Sequence, residues 1–171
     1  MMQRNVTKMI YAALLTAISI IIPLYFGFLR VLIPPFSATI ASHVPLFIAM
    51  LISPGVAVAV GIGSAVGFSI TASPVIAARA AMHTVVGGVG GYLVKKKVPF
   101  KYVILITAPI HALLEALIVI PFGFSFTNAL IVVGIGTVIH HLVDGTISYA
   151  LVKVLAKNVN LNFDKETKKV A

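Results

Sequence analysis

The sequence contains no cysteine and no tryptophan among its 171 residues, and only four acidic residues. Without cysteine, the chain can form no disulfide framework, no thiolate nucleophile and no zinc–thiolate site. It also has no HExxH, GxSxG or P-loop motif, which hydrolases and nucleotide-driven pumps commonly use. We therefore expect no enzyme activity, resident metal or cofactor, and any pumping of solute would need energy from another subunit.

Charged residues make up 10% of the chain and apolar residues 60%, which is outside the range of soluble domains. Five or six membrane spans of about 20 residues each would use most of the chain. We predict a single transmembrane domain, 1–171, with a polar cytoplasmic tail at about 157–171. The net charge of +9 comes from basic residues at the ends of apolar runs, which argues against nucleic acid as a partner.

Proline and glycine divide the apolar sequence into six predicted helices, so the expected fold is an all-α bundle of six transmembrane helices. The first helix, about Met9 to Phe28, is followed by no small-residue cleavage site and is therefore expected to be retained. Pro34 and Pro35 prevent a regular helix between Leu29 and Ser42, which we predict as an outer loop that dips into the membrane. The other predicted helices are His43–Ile52, Pro54–Thr71, Pro74 to the Lys95–Lys97 run, Tyr102–Ile120 and Thr127 to about Ala156.

The basic residues predict the orientation, because Lys and Arg near span ends accumulate on the cytoplasmic side. With six spans and both termini in the cytoplasm, eleven of the thirteen basic residues fall inside, and Arg30 and Arg79 do not. The eleven are Arg4, Lys8, Lys95, Lys96, Lys97, Lys101, Lys153, Lys157, Lys165, Lys168 and Lys169. A five-span arrangement would separate the N-terminus from the Lys95–Lys101 cluster, so six spans are favoured.

Small residues recur four apart at three places, as helices that approach closely in lipid require. Gly63 with Gly67 and Gly87 with Gly91 are typical of simple packing within a bundle. Ala13 and Ala17 on the first helix form the third pair.

Two charged residues within the apolar sequence are expected to lie at the same depth. Arg79 follows Pro74 by five residues, and Glu115 precedes Pro121 by six on an antiparallel helix. Both therefore lie roughly 7 to 9 Å below the outer ends of their helices. An intramembrane charge needs a partner or a function. Two interpretations are therefore open: the two charges neutralise each other within the fold, or they line a polar cup that opens outward, and both hold if a ligand bridges the pair.

Further polar residues are predicted around this cup. His83 lies one turn below Arg79, and His111 one turn below Glu115. Asn128 is expected at the mouth, with His43 and the Pro34–Ser42 loop as a cover. On the last helix, His140, His141 and Asp144 share one face, which fits a hydrogen-bonded helix contact, a cup floor or a proton-linked role better than a metal site.

The chain resembles the substrate-binding S components of energy-coupling factor (ECF) vitamin transporters over nearly its whole length. The segment Tyr11-Ala12-Ala13-Leu14-Leu15-Thr16-Ala17 matches the AxxxA motif of that family's first helix. The stretch from Ile33-Pro34-Pro35 to Ala41-Ser42-His43-Val44-Pro45 is similar to its first outer loop. The resemblance implies a cell-membrane protein of prokaryotic type that docks through Ala13 and Ala17 on a membrane coupling subunit. Two cytoplasmic ATPase subunits would complete the transporter.

The resemblance also implies a vitamin ligand near the outer ends of helices four to six, under the first loop. The Ala41–Pro45 segment resembles the branch of the family assigned to small-ring compounds, which implies hydroxymethylpyrimidine, pyridoxine or niacin as the ligand. Glu115 could pair with an aminopyrimidine or ring nitrogen, Arg79 could hold a carboxylate, and Phe36 could stack on the ring. An alternative is a carrier or channel that works without partners and uses the intramembrane His, Glu and Asp residues as a proton path.

Overall fold

A computed structural model describes residues 2–158, with 2–4 and 156–158 described by their backbone alone. Six principal helices and one β hairpin make up this part of the chain. They are α1 Met2–Tyr25, β1 Arg30–Ile33, β2 Phe36–Thr39, α2 Val44–Ile52, α3 Pro54–Thr71, α4 Pro74–Lys95, α5 Phe100–Val119 and α6, which runs through Phe126–Asn128, Ala129–Gly134 and Ile135–Asn158. The middle segment of α6 is π-helical. The predicted tail lies outside the described residues, apart from the backbone of 157 and 158.

Proline sets several of the helix starts, because it fits the first turn, where its missing N–H is not needed. Pro54 begins α3 and Pro74 begins α4. Ser53 separates α2 from α3 and accepts a hydrogen bond from the backbone N–H of Val56 at 3.2 Å. The predicted breaks at these positions are confirmed.

Four helical segments are long and apolar enough to cross a membrane: Asn5–Tyr25, Pro54–Thr71, Phe100–Phe122 and Phe126–Leu155. These segments confirm the all-α membrane class. Helix α4 has 22 residues but is not among the four, and α2 has nine. Nine residues rise only about 14 Å, roughly half of the hydrocarbon core. Six crossings and cytoplasmic termini therefore stay predictions.

Glycines let the helices pack closely. A Cβ at Gly67 would lie 2.9 Å from backbone atoms of Ile20, and one at Gly91 would lie 2.7 Å from the Cα of Pro54. The Gly63 and Gly67 pair thus serves the contact of α3 with α1, and the Gly87 and Gly91 pair serves the contact of α4 with the start of α3. Ala13 and Ala17, in contrast, lie on an exposed face of α1.

The segment between α1 and α2 forms an antiparallel hairpin rather than an irregular loop, with Arg30 opposite Thr39 and Ile33 opposite Phe36. All four residues of β2 are buried, whereas Val31, Leu32 and Ile33 of β1 are exposed. Strand β2 contacts α6 on its inner side. The hairpin therefore covers one end of the bundle, the end at which α3 and α5 finish and α4 begins. Lys8, Lys95, Lys101 and Lys153 belong to the opposite ends of their helices.

Candidate functional site

Arg79 joins the hairpin to the helices beneath it. Its side chain is buried on α4, and its Nε and Nη2 donate to Oε2 of Glu115 on α5 at 3.2 and 2.6 Å. Toward the hairpin, Nη1 and Nη2 donate to the hydroxyl and the carbonyl of Ser37, both at 3.2 Å, and Nη1 to the carbonyl of Pro35 at 3.4 Å. The guanidinium carbon also lies 5.3 Å from the ring centre of Phe36. Arg79 and Glu115 thus form an ion pair, which is one of the arrangements that their common depth allowed.

The two carboxylate oxygens of Glu115 face different groups. Oε2 accepts from Arg79 and from the hydroxyl of Thr137 on α6 at 2.5 Å. Oε1 lies 3.4 Å from Nε2 of His111 and 3.8 Å from Nε2 of His83. Glu115 therefore stands between the arginine and a group of histidines.

All five histidines of the chain meet in the interior next to this pair. His43, at the start of α2, has Nε2 2.9 Å from Nε2 of His83, and its Nδ1 is 3.0 Å from Oδ2 of Asp144. Nδ1 of His111 on α5 lies 3.0 Å from Nδ1 of His141 on α6. His140 contacts Asp144 and the carbonyl of Thr39, each at 3.1 Å. Four helices and the hairpin therefore share one buried polar network.

Asp144 holds the end of the hairpin against α6. Its Oδ1 accepts from the backbone N–H of Ala41 at 2.8 Å, and Oδ2 accepts from that of His43 at 3.0 Å. Ala41 has a φ of 68°, a left-handed backbone conformation that turns the chain as it leaves β2. The carboxylate thus caps the turn between the hairpin and α2.

A cavity lies between the hairpin and the helices. The space between its walls is about 300 Å³ when the part that is open to solvent is counted, and the centres of water-sized molecules can occupy about 20 Å³ of it. Its polar walls carry a guanidinium, a carboxylate, imidazoles and hydroxyls. The lining residues are Ser37, Thr39, Ser42, His43, Phe68, Ile76, Arg79, Ala80, His83, Glu115 and His140. A buried cation and several donors and acceptors facing one small space suit a small polar molecule.

Comparison with known proteins identifies the family. The chain is 35% identical, over 179 aligned residues, to the niacin transporter NiaX of Lactococcus lactis subsp. cremoris (strain MG1363). The match covers 94% of this chain and 80% of NiaX. The chain belongs to the S components of ECF vitamin transporters. The resemblance seen in the sequence is thereby confirmed, and with it a multi-pass protein of the cell membrane that is a transporter component rather than an enzyme.

No family model matches the chain. No solved structure matches it either.

The structure brings most of the predicted site residues of this S component together. Arg79, Glu115, His83 and His43 line the cavity. Phe36 lies against the guanidinium of Arg79, outside the cavity lining. His111 is fully buried behind Glu115. Asn128 is exposed on the first turn of α6, and its side chain is not part of the lining.

Sequence reasoning missed several polar contributors, above all Thr137, Ser64 and the hairpin residue Ser37. Thr137 could have been found, because Thr137, His141, Asp144 and Ser148 follow one another at spacings of four, three and four on an apolar helix. All four are buried. Ser37 carries no such signal, since its position depends on the hairpin.

The first helix of the S component has a long exposed apolar face next to Ala13 and Ala17. Of its most apolar stretch 17% is buried, compared with 22% in α6, 44% in α3 and 50% in α5. Met9, Ile10, Leu14 and Ile18 are exposed on this side. Neither alanine contacts the cavity, so α1 is free to present this face to lipid or to another membrane protein.

Proposed function

We propose that this S component binds niacin in the cavity under the hairpin and delivers it inward together with a membrane coupling subunit and two cytoplasmic ATPases. The observation that carries the niacin assignment is the buried guanidinium of Arg79 at the cavity wall. The name of NiaX supports the same ligand.

Niacin is a pyridine ring with a carboxylate, and Arg79 suits the carboxylate. A guanidinium binds a carboxylate through two parallel N–H groups. Three of the present bonds of Arg79, to Ser37 and to Pro35, are 3.2 to 3.4 Å long and involve neutral acceptors. A ligand carboxylate could replace them with shorter, charge-assisted bonds, while the ion pair with Glu115 stays in place. In this arrangement Glu115 contributes through Arg79 and holds its guanidinium in position.

The rest of the cavity suits a small aromatic ring. Phe68 and Ile76 supply apolar contact, and the hydroxyl of Ser42 and the ring of His140 supply polar groups for the pyridine nitrogen. Hydroxymethylpyrimidine and pyridoxine carry no carboxylate, so they would leave the charge of Arg79 without a new partner. Of the three small-ring candidates, niacin is therefore the one whose charge can pair with Arg79.

Equilibrium binding on the purified, detergent-solubilised chain tests this assignment. Niacin is expected to bind more tightly than its amide, nicotinamide, by about tenfold or more, because only the acid can form charge-assisted bonds with the guanidinium. Arg79→Met should remove both the affinity and this preference. Lys101→Met, at the opposite end of the bundle, removes a cation without touching the cavity and should change neither. Equal affinity for acid and amide in the unaltered protein would refute the carboxylate role of Arg79.

The second part of the proposal assigns the exposed face of α1 to the coupling subunit. Close approach of a partner helix requires residues as small as Ala13 and Ala17. Ala13→Trp and Ala17→Trp should reduce niacin uptake in cells that carry the whole transporter, while niacin binding by the isolated chain survives. Leu113→Trp places the same bulk on an exposed position of α5 and should leave uptake unchanged. Normal uptake and complex assembly in both alanine variants would contradict the docking role.

A carrier that works alone is the alternative, and the observation that favours it is the chain of hydrogen bonds from His83 through His43 to Asp144. Such a carrier would accumulate niacin in liposomes that contain the purified chain and a proton gradient. The S-component proposal expects accumulation only with the coupling subunit, the ATPases and ATP. Proton-driven accumulation of niacin by the chain alone would support the carrier and contradict the S-component proposal.

A further inference from the structure

Three histidines beside the cavity present ring nitrogens to one another. One nitrogen from each of His43, His83 and His111 lies within 4.8 Å of the other two, and all three side chains are buried. We propose that these histidines, together with Glu115, bind a divalent transition-metal ion such as Zn²⁺. This inference goes beyond the proposed niacin binding and does not depend on it.

The hydrogen-bond network leaves Nε2 of His111 with a free lone pair. Nε2 of His141 lies 3.1 Å from the carbonyl of Ile104, which can only accept, and 3.1 Å from the hydroxyl of Thr107, which already donates to the carbonyl of Val103 at 2.7 Å, so Nε2 carries a proton. Nδ1 of a neutral His141 is then an acceptor, and Nδ1 of His111 donates to it. Nε2 of His111 is therefore unprotonated, and it is buried with no hydrogen-bond partner among the described residues. A metal ion would satisfy this nitrogen.

His43 also has its lone pair on Nε2. Its Nδ1 donates to the carboxylate of Asp144, which leaves Nε2 with the lone pair. A carboxylate that holds the distal N–H of a histidine is the usual support of a metal-binding imidazole, because it fixes the ring and raises its basicity. The Nε2 atom of His43 faces the cluster, 2.9 Å from that of His83.

His83 can adopt the tautomer that a metal requires. Its Nδ1 lies 2.8 Å from the hydroxyl of Ser64, which can donate or accept. When Nδ1 of His83 donates to Ser64, its Nε2 has a lone pair directed at the other two rings. All three histidines thus have a partner on Nδ1 and can keep the lone pair on Nε2.

Glu115 supplies a fourth ligand atom at a suitable distance. In a tetrahedral zinc site with bonds of about 2.0 to 2.1 Å, ligand atoms are about 3.4 Å apart. Oε1 of Glu115 lies 3.4 Å from Nε2 of His111 and 3.8 Å from Nε2 of His83. Arg79 and Thr137 bond to the other oxygen, so Oε1 can bind a metal while both of those bonds remain.

The alternative grouping of His43, His140 and Asp144 is also compact. There, however, the carboxylate of Asp144 already accepts from two backbone N–H groups and from His43. Its lone pairs are used to hold the turn after the hairpin. We therefore assign the set of His43, His83, His111 and Glu115. In this set Nε2 of His111 and Oε1 of Glu115 are free to bind a metal.

Titration of the metal-free chain with Co²⁺ in detergent tests the assignment, because tetrahedral Co²⁺ absorbs visible light strongly and Zn²⁺ displaces it without colour. The protein must carry no polyhistidine tag. We expect one Co²⁺ per chain with the tetrahedral spectrum, and its displacement by an equivalent of Zn²⁺. His111→Ala and His83→Ala should each weaken binding by about 100-fold or more, since they remove a ligand rather than a supporting group.

Ser148→Ala is the matched control, because it removes a buried polar side chain of α6 whose hydroxyl donates within its own helix, to the carbonyl of Asp144 at 2.7 Å. It should bind Co²⁺ with nearly unchanged affinity, and loss of binding in this variant with retention in His111→Ala would overturn the assignment. Thermal unfolding shows whether each variant is folded, and Zn²⁺ should raise the Tm of the unaltered chain but not that of His111→Gln. Absence of stoichiometric Co²⁺ binding by the unaltered chain would also refute the site. No vitamin is present in these measurements, so their outcome is independent of niacin binding.

Discussion

Arg79 is predicted to hold the hairpin closed over the cavity, and Arg79→Met should release it. Methionine keeps an apolar side chain of similar length but none of the five hydrogen bonds. Three of those bonds reach the hairpin, at Pro35 and Ser37. A hydrogen bond from a charged group contributes about 1.5 to 3 kcal/mol, and bonds as long as these belong at or below the lower end. We therefore expect the free energy of local hairpin opening to fall by about 3 kcal/mol, which corresponds to about 100-fold more frequent opening.

The absence of cysteine makes this opening measurable, because one introduced thiol is the only one present. Ala38 on β2 is 8% exposed, so the Ala38→Cys thiol can react with a maleimide only when the hairpin opens. Its labelling rate in detergent should rise about 100-fold when Arg79→Met is added. Val31 lies directly opposite Ala38 on β1 and is 46% exposed. Val31→Cys should therefore label at the same rate with and without Arg79→Met.

Glu115→Gln separates the hairpin bonds of Arg79 from its ion pair. In this variant Arg79 keeps its contacts with Ser37, so labelling of Ala38→Cys should rise less than with Arg79→Met. The ion pair itself should appear in global stability, since removal of one partner of a buried pair costs about 3 to 5 kcal/mol. If Arg79→Met leaves the labelling rate of Ala38→Cys unchanged, the hairpin is held by other contacts and the reasoning fails.

Three further predictions concern packing and the polar network. Gly67→Val should lower the free energy of unfolding by about 1 to 3 kcal/mol, because its Cβ would meet the backbone of α1, whereas Gly55→Ala has open space and should be neutral in the same unfolding assay. Asp144→Ala removes the acceptor for the turn after β2 and should speed proteolysis of the hairpin, with no such effect if the turn is held elsewhere. Thr137→Val should lower the free energy of unfolding by about 1.5 to 3 kcal/mol through the lost bond to the carboxylate of Glu115, and an unchanged Tm would contradict this.

The parts of the fold that could be predicted depend on local signals. Pro54 and Pro74 determine where helices start regardless of their surroundings, so these breaks were located correctly. The contact between Arg79 and Glu115 could be anticipated because each lies a countable number of residues from a helix end. Depth along a helix follows directly from the rise per residue.

The parts that could not be predicted depend on distant contacts. The hairpin contains two prolines and forms a strand pair only because helices bury its second strand. His43 and Asp144 are 101 residues apart and meet because each helix has a particular rotation about its axis. A single sequence does not specify those rotations, so it predicted two histidine groups where the structure has one network.

The π-helical segment of α6 determines where this helix can change in length. Residues Ala129–Gly134 come before the buried face of the same helix, which is formed by Thr137, His141, Asp144 and Ser148. A single-residue deletion within 129–134 could be absorbed by a return to α-helical geometry, and the buried face would keep its phase. The same deletion between Thr137 and Asp144 would rotate the carboxylate by about 100° away from the hairpin turn that it holds. Relatives whose last helix is one residue shorter are therefore expected to lack a residue at 129–134, which is where an alignment gap belongs.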